Sequence, residues 1–218
     1  ESGYGTNHDA LAGWIRADRV QRVAEFADAF RVNSDGVAFL PSLCTAEQRS
    51  AAVAAVAERL AAEGALTPWR DERYAVGVAH GAPPWFEVER AAARYLGVHT
   101  HAAHANGLVR ESAPLAMWIA RRSPVKAIDP GLLDNLVGGG IAAGATVAGT
   151  LVKEAWEEAG VPAPMAAQAS PVGRLCIRRD QPDGLQWETI FVHDLWLPDA
   201  FVPVNQDGEA VEHRRATA

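Results

Sequence analysis

The stretch that decides the reading runs from residue 137 to residue 161, "VGGGIAAGATVAGTLVKEAWEEAGV". A glycine run is followed by a helix predicted over 147–159, and Glu154, Glu157 and Glu158 fall close together on it. Successive helical residues turn by about 100°, so Glu157 lies about 60° to one side of Glu154 and Glu158 about 40° to the other. All three project from one stripe. Local physics opposes this arrangement. Glu154 and Glu158 form an i,i+4 like-charge pair, which costs an isolated helix about 0.2–0.5 kcal/mol. Lys153 precedes Glu157 by four residues, the less favourable order for an ion pair. The carboxylates also sit toward the helix C-terminus, where the macrodipole disfavours anions. A divalent cation would reverse the balance, because Mg²⁺ takes oxygen ligands and is commonly shared with substrate phosphates. Glycine before the helix lets backbone approach a metal or phosphate closely. The bland alternative is a solvated acidic helix face, the commoner origin of such a run. The glycine segment at a fixed distance favours the site.

Outward from this stretch the chain reads as mixed α/β. Apolar spacing in "HDALAGWIRADRVQRVAEFADAF" (8–30) is near-helical, and "FRVNSDGVAFLP" (30–41) reads as two strands around Asn33–Gly36. The clearest helix follows Thr45, which forms a capping-box pair with Gln48, and it stops at Gly64. "RYAVGVA" (73–79) reads as a strand, and "PPWFEVERAAARYLG" (83–97) as a helix opened by proline and closed by glycine. Strands are expected in "HTHAAHANGLVR", "LAMWIARR", "VGRLCIRR" and "WETIFVHDLWL". A long loop is expected over "SPVKAIDPGLLDN", an Ala/Pro-rich connection over "GVPAPMAAQASP", and no closing strand or helix in "VEHRRATA".

The 218 residues carry a net charge of −7, which argues against charge-driven nucleic-acid binding, and no apolar run approaches the length of a membrane span. Two cysteines, Cys44 and Cys176, lie far apart in no metal spacing, so a reduced, cytoplasmic protein with free thiols is expected. The N-terminus shows no basic-then-apolar leader, and the absence of an initiator Met suggests processing or missing residues.

The opening stretch resembles the Nudix box, G-x5-E-x7-R-E-U-x-E-E-x-G-U. Gly139 takes the first glycine, Lys153 the arginine, Glu154 the first helix glutamate, Ala155 the U position, where it is smaller than usual, Glu157 and Glu158 the pair, Gly160 the glycine and Val161 the last aliphatic. Ala145 stands where the box has its first glutamate, and Lys153 keeps the charge of arginine without its rigid fork. The words "LTPWRDERYAV", "EVERAAARYLGV", "HANG", "WIARRSPVKAIDPGLLDNLVGGGIAAG" and "LWLPDAFVPVNQDGE" extend the likeness to the Nudix subfamily related to thiamin pyrophosphokinase.

That resemblance implies an N-terminal α/β domain over 1–98 and a Nudix α/β/α sandwich over 99–218. The latter is expected to be incomplete at its C-terminal end, since members continue past "DGE" into a further strand and helix. It implies a pyrophosphohydrolase that takes Mg²⁺ or Mn²⁺ on Glu154, Glu157 and Glu158, helped by a backbone carbonyl near Gly139. Water would attack a small-molecule diphosphate, with thiamin diphosphate or its oxidised analogues first among substrates and the monophosphate as product. Glu157 is expected to act as base or as a dual-role ligand, and Glu154 to be catalytic as well, with Glu188, Glu209 and Glu212 as alternatives for the base. Arg121, Arg122 and Lys126 are candidates to clamp phosphate oxygens, Asn106 to contact substrate, and Lys153 to support the carboxylates. A homodimer is compatible with the resemblance. The rival reading is a catalytically weak ligand-binding or regulatory module on the same fold, favoured by Ala145.

Other constellations are weaker. His99, His101 and His104 form H-x-H-x2-H, where His99 and His101 could share a strand face toward Zn²⁺, but a polar strand edge explains them as well. The glycine run lacks dinucleotide-loop spacing, and no G-x-S-x-G elbow is present. Trp69, Trp85, Trp118, Trp156, Trp187 and Trp196 are expected in the core or at interfaces.

Overall fold

The computed structural model describes residues 11–66, 68–109, 114–125 and 129–217. Its elements, in chain order, are α1 (Ala17–Ala24), β1 (Phe30–Asn33), β2 (Gly36–Phe39), α2 (Ala46–Ala62), β3 (Arg73–Val76), β4 (Phe86–Glu89), α3 (Arg90–Ala93), β5 (His99–Val109), β6 (Ala116–Arg122), β7 (Leu133–Asp134), β8 (Val137–Gly140), α4 (Val147–Ala159), α5 (Ala163–Ala166), β9 (Ser170–Gln181), β10 (Gly184–Leu197) and β11 (Ala210–Thr217). The chain divides into two compact units. One holds Glu1–Thr100 with Ala142–Gly144 and Cys176–Thr189, and the other holds His101–Ile141, Ala145–Leu175 and Ile190–Ala218. By this grouping the outer part of the β9–β10 hairpin falls with the first unit.

In the first unit, β1 and β2 pair antiparallel around a turn in which the Asn33 amide oxygen accepts the N–H groups of Asp35 and Gly36. This is the local bonding that makes asparagine a turn residue. Helix α2 starts at Thr45, whose side chain accepts the Gln48 N–H while the Gln48 side chain accepts the Thr45 N–H. Its buried face, Val53, Val56, Ala57 and Leu60, joins Phe39, Val76, Phe86 and Val88 in one core.

The stretch 83–97 is not one helix. Phe86 and Val88 alternate inward and pair with Val76 and Tyr74 across an antiparallel ladder, so the period of two wins over the terminal proline and glycine signals. Only the four residues of α3 are helical there. The helical reading of 8–30 likewise shrinks to α1, because residues 11–16 run alongside the end of the unit, with an isolated bridge between Gly13 and Val98. Residues 8–10 lie outside the described residues.

The seven-stranded sheet has the order β11-β6-β5-β10-β9, with β7 beside β6 and β8 beside β5. The glycine run ahead of the helix is strand β8, held by β5 in the register Ala103↔Gly139 and His104↔Gly138. Residues 211–217, where no closing strand was expected, are also in a strand. β11 pairs antiparallel with the whole of β6, through a bulge between Ala210 and Glu212, and supplies the strand expected beyond "DGE". α4 presents Leu151, Ala155 and Ala159 to a core that includes Ala103, Val109, Trp118, Leu136, Leu195 and Leu197. Not every tryptophan is a core residue: Trp69, Trp156 and Trp196 are exposed. Both cysteines are free and exposed. Among the described residues, no helix is long and apolar enough to cross a membrane.

Candidate active site

The site is built on the last two turns of α4 and the strand beside them. Thr146 caps the helix by accepting the Gly149 N–H at 3.0 Å, and Gly160 ends it in the left-handed conformation that glycine adopts without a Cβ penalty. The carbonyls at the C-terminal end are satisfied from afar. The N–H groups of Val204 and Gln206 donate to Ala159 O at 3.0 Å and Glu157 O at 2.8 Å, and Asn205 Nδ2 donates to Glu158 O at 3.4 Å. This segment fixes the turn that carries Glu157 and Glu158.

Strand β8 lies against the carboxylates. Alternation along the strand sends positions 139 and 138 to opposite faces. A Cβ on Gly139 would lie 2.3 Å from Glu154 Cδ, and one on Gly138 would lie 2.9 Å from the His104 ring. The Glu158 carboxylate accepts the Gly138 N–H at 2.7 Å. The other two glutamates share one cation. Lys153 Nζ donates to Glu154 Oε1 at 3.0 Å and to Glu157 Oε2 at 2.8 Å. Burial lowers the lysine's proton affinity, but the hydrogen bonds and charges of Glu157 and Glu154 outweigh it and raise the pKa well above the ordinary value. The Glu154 side chain is only 14% exposed, against 37% for Glu157.

These residues fit a hard divalent cation by donor chemistry, since all three carboxylates offer oxygen. They fit it in space as well, since the neighbouring strand carries glycine where any Cβ would collide with Glu154. In the geometry described, however, the three are not drawn together. Among the described residues no group of three His, Cys, Asp or Glu side chains is gathered for a metal. One carboxylate is turned to backbone and two to Lys153.

A cleft adjoins the helix end, lined by Ala120, Arg122, Asp134, Asn135, Glu158, Glu209 and Ala210. It separates two neighbouring arginines. Arg122 lines it and donates to Asp134 Oδ2 at 2.8 Å. Arg121 stands across the ladder from Glu212, bonds its carboxylate at 3.0 Å and bonds Gly131 O at 3.0 Å, and does not line the cleft. Of the alternative bases, Glu209 lines the cleft, Glu212 is taken by Arg121, and Glu188 accepts from Thr100 and Gln186. Lys126 lies outside the described residues.

Asn106 is a scaffold group in this geometry. Its amide donates to Asp194 Oδ1 at 2.9 Å and accepts from Asn135 Nδ2 at 2.6 Å, while His104 Nδ1 meets Asn135 Oδ1 at 3.1 Å. The chain His104–Asn135–Asn106–Asp194 holds the cleft-lining Asn135 in place. Asp134, Asn135 and Asp194 carry roles that the sequence reading did not assign. Alternation in "HANG" places His104 and Asn106 on one strand face, and that was the available signal. The three histidines do not form one site: His99 Nε2 meets Thr189 Oγ1 at 2.9 Å and its ring stacks on Trp187, while His101 is buried beside Phe191.

A domain of unknown function, DUF4743, matches residues 8–100, and a NUDIX domain matches residues 98–214. The chain is 37% identical to Nudix hydrolase 24, chloroplastic, of Arabidopsis thaliana over 94% of its own length and 57% of that protein's. It is 36% identical to Nudix hydrolase 20, chloroplastic, of the same plant over 92% of its length and 56% of that protein's, so it spans little more than half of these curated relatives. A crystal structure from Deinococcus radiodurans is similar at 24% identity and a TM-score of 0.48, covering 67% of this chain and 83% of that one. Because the NUDIX match takes in more than half of the 218 residues, the chain belongs to the Nudix family.

Proposed function

We propose that this protein is a divalent-metal-dependent Nudix pyrophosphohydrolase that cleaves a small-molecule diphosphate, with thiamin diphosphate or its oxidised analogues as the first substrates to test. The observation that carries the reading is the glutamate helix end packed on a strand whose Gly139 leaves no room for a Cβ beside Glu154. Glu154, Glu157 and Glu158 would hold Mg²⁺ or Mn²⁺, in line with the box they resemble. Such an ion, when bound, neutralises phosphate oxygens and acidifies the attacking water.

The chain's own groups supply the rest. Arg122 is oriented by Asp134 and lines the cleft, where its fork suits bidentate binding of a phosphate. Glu157 is the more exposed of the two carboxylates that share Lys153, and it is the proposed acceptor of the water's proton. Asn135, held through Asn106, offers a fixed polar edge in the cleft.

The test is a panel of diphosphate compounds, thiamin diphosphate and its oxo forms included, incubated with Mg²⁺ or Mn²⁺ and read as phosphate or monophosphate release. Chelator-sensitive release that is lost in Glu157→Gln supports the enzyme. Binding without release across the panel supports the rival reading, a ligand-binding module, which Ala145 at the box glutamate position favours.

A further inference from the structure

We infer that Lys153 is a resident counter-ion of the carboxylate site that a divalent cation must displace, so that this side chain sets metal affinity by competition and not by support. The inference rests on the metal reading of Glu154 and Glu157. Lys153 Nζ stands between Glu154 Oε1 and Glu157 Oε2, at 3.0 and 2.8 Å. It is the i,i+4 partner in the order that helices favour less, yet the bond is made. The reason is the like-charge crowding of the stripe: with Glu154, Glu157 and Glu158 on one face, a cation lowers the energy of the turn whatever its source. The ammonium is a compact point charge on a flexible stem, and its side chain is 58% exposed. It therefore reaches both carboxylates without being locked among them, and it can swing into water when another cation takes its place. The planar guanidinium that the box carries at this position is held by fork geometry and leaves less readily. Consistent with this, the carboxylates in the described geometry are satisfied by lysine and by the Gly138 N–H rather than gathered toward a common point.

Competition and support predict opposite signs. If Lys153 supported the site, removing it would weaken metal binding by about 10–100-fold, as loss of an outer partner does. If it competes, removing it strengthens binding. The experiment titrates Mn²⁺ into the wild-type chain, Lys153→Met, Lys153→Gln and Lys153→Arg, following free Mn²⁺ by electron paramagnetic resonance and folding by circular dichroism. The expected result is Mn²⁺ affinity about tenfold higher in both neutral variants at low ionic strength. The gap should narrow as salt screens the exposed ammonium. Lys153→Arg is expected to bind no more tightly than wild type. Unchanged or weaker binding in the folded neutral variants, with wild type binding normally, overturns the competitor role alone. No Mn²⁺ binding by any of the four chains overturns the metal site itself, and this inference with it.

Discussion

The carboxylate of Glu158 accepts the backbone N–H of Gly138 at 2.7 Å, tying the end of α4 to the middle of β8. Through this bond the helix is registered on a strand whose next residue, Gly139, faces Glu154. The acidic ridge is thus a strand–helix junction, and its chemistry depends on how little the strand intrudes.

Gly139→Ala tests that dependence. The new Cβ would fall 2.3 Å from Glu154 Cδ and 2.5 Å from its Cγ. The obstructed atoms are the far end of a side chain, so the fold is expected to stand and the carboxylate to move. Thermal unfolding should lie within about 1 kcal/mol of wild type, while Mn²⁺ affinity falls about tenfold or more. A well-folded variant with wild-type metal affinity would rule Glu154 out as a ligand.

Two adjacent arginines should behave differently. Arg122→Met removes the guanidinium that lines the cleft and leaves Asp134 without that ion pair, whereas Arg121→Met removes a partner of Glu212 outside it. Steady-state kinetics on the best diphosphate of the panel are expected to show kcat/KM down about 30-fold for Arg122→Met, equivalent to about 2 kcal/mol for a charged hydrogen bond. Arg121→Met should lie within about twofold of wild type, as exposed ion pairs contribute little. Equal losses in both variants would remove Arg122 from the substrate site.

Gly97→Ala probes the first unit. Gly97 has φ 63°, and a Cβ there would come 1.9 Å from Trp14 O, beside the bond in which Trp14 N donates to Gly97 O at 2.9 Å. The left-handed backbone costs a non-glycine residue about 1–2 kcal/mol. The displaced backbone adds to this, so urea denaturation should show a loss of about 3 kcal/mol or more. A loss under about 1 kcal/mol would mean that the backbone at Trp14 shifts without cost.

His99 sets a pH dependence. Burial holds its imidazole below the ordinary histidine value. The unfolded chain therefore takes up a proton first as the pH falls through about 6.5. Stability is full above that point and declines on acidification until the folded imidazole itself is protonated. Urea midpoints at pH 7.5 and 5.5 should differ in wild type, and His99→Gln should narrow the difference. A difference of the same size in His99→Gln would assign the effect to other histidines.

The carboxylate stripe was legible because helical periodicity is local: the spacing of Glu154, Glu157 and Glu158 and the cap at Gly160 need no tertiary information. The stretch 83–97 misled because its proline and glycine mark helix ends wherever they occur. The alternation of Phe86 and Val88 decides for a strand only once Tyr74 and Val76 are there to pair. Likewise the glycine run has no strand propensity of its own and is extended because β5 holds it. The cleft was half visible. Arg122 and Asn106 stood in quoted words, but the separation of Arg122 from Arg121 needs the bulged β11 ladder, and the link from Asn106 to Asp194 spans a sequence distance no pattern reports.

The bonds that Val204 and Gln206 give to the last turn of α4 join parts of the chain that leave the ribosome at different moments. The acidic turn is synthesised first and its clasp afterwards. Until the clasp arrives, those carbonyls face water and the glutamates repel one another on a fraying end. The setting of the acidic turn in a nascent molecule therefore waits on residues 204–206, and a ribosome stalled before them would hold a chain with its ridge made but not yet set.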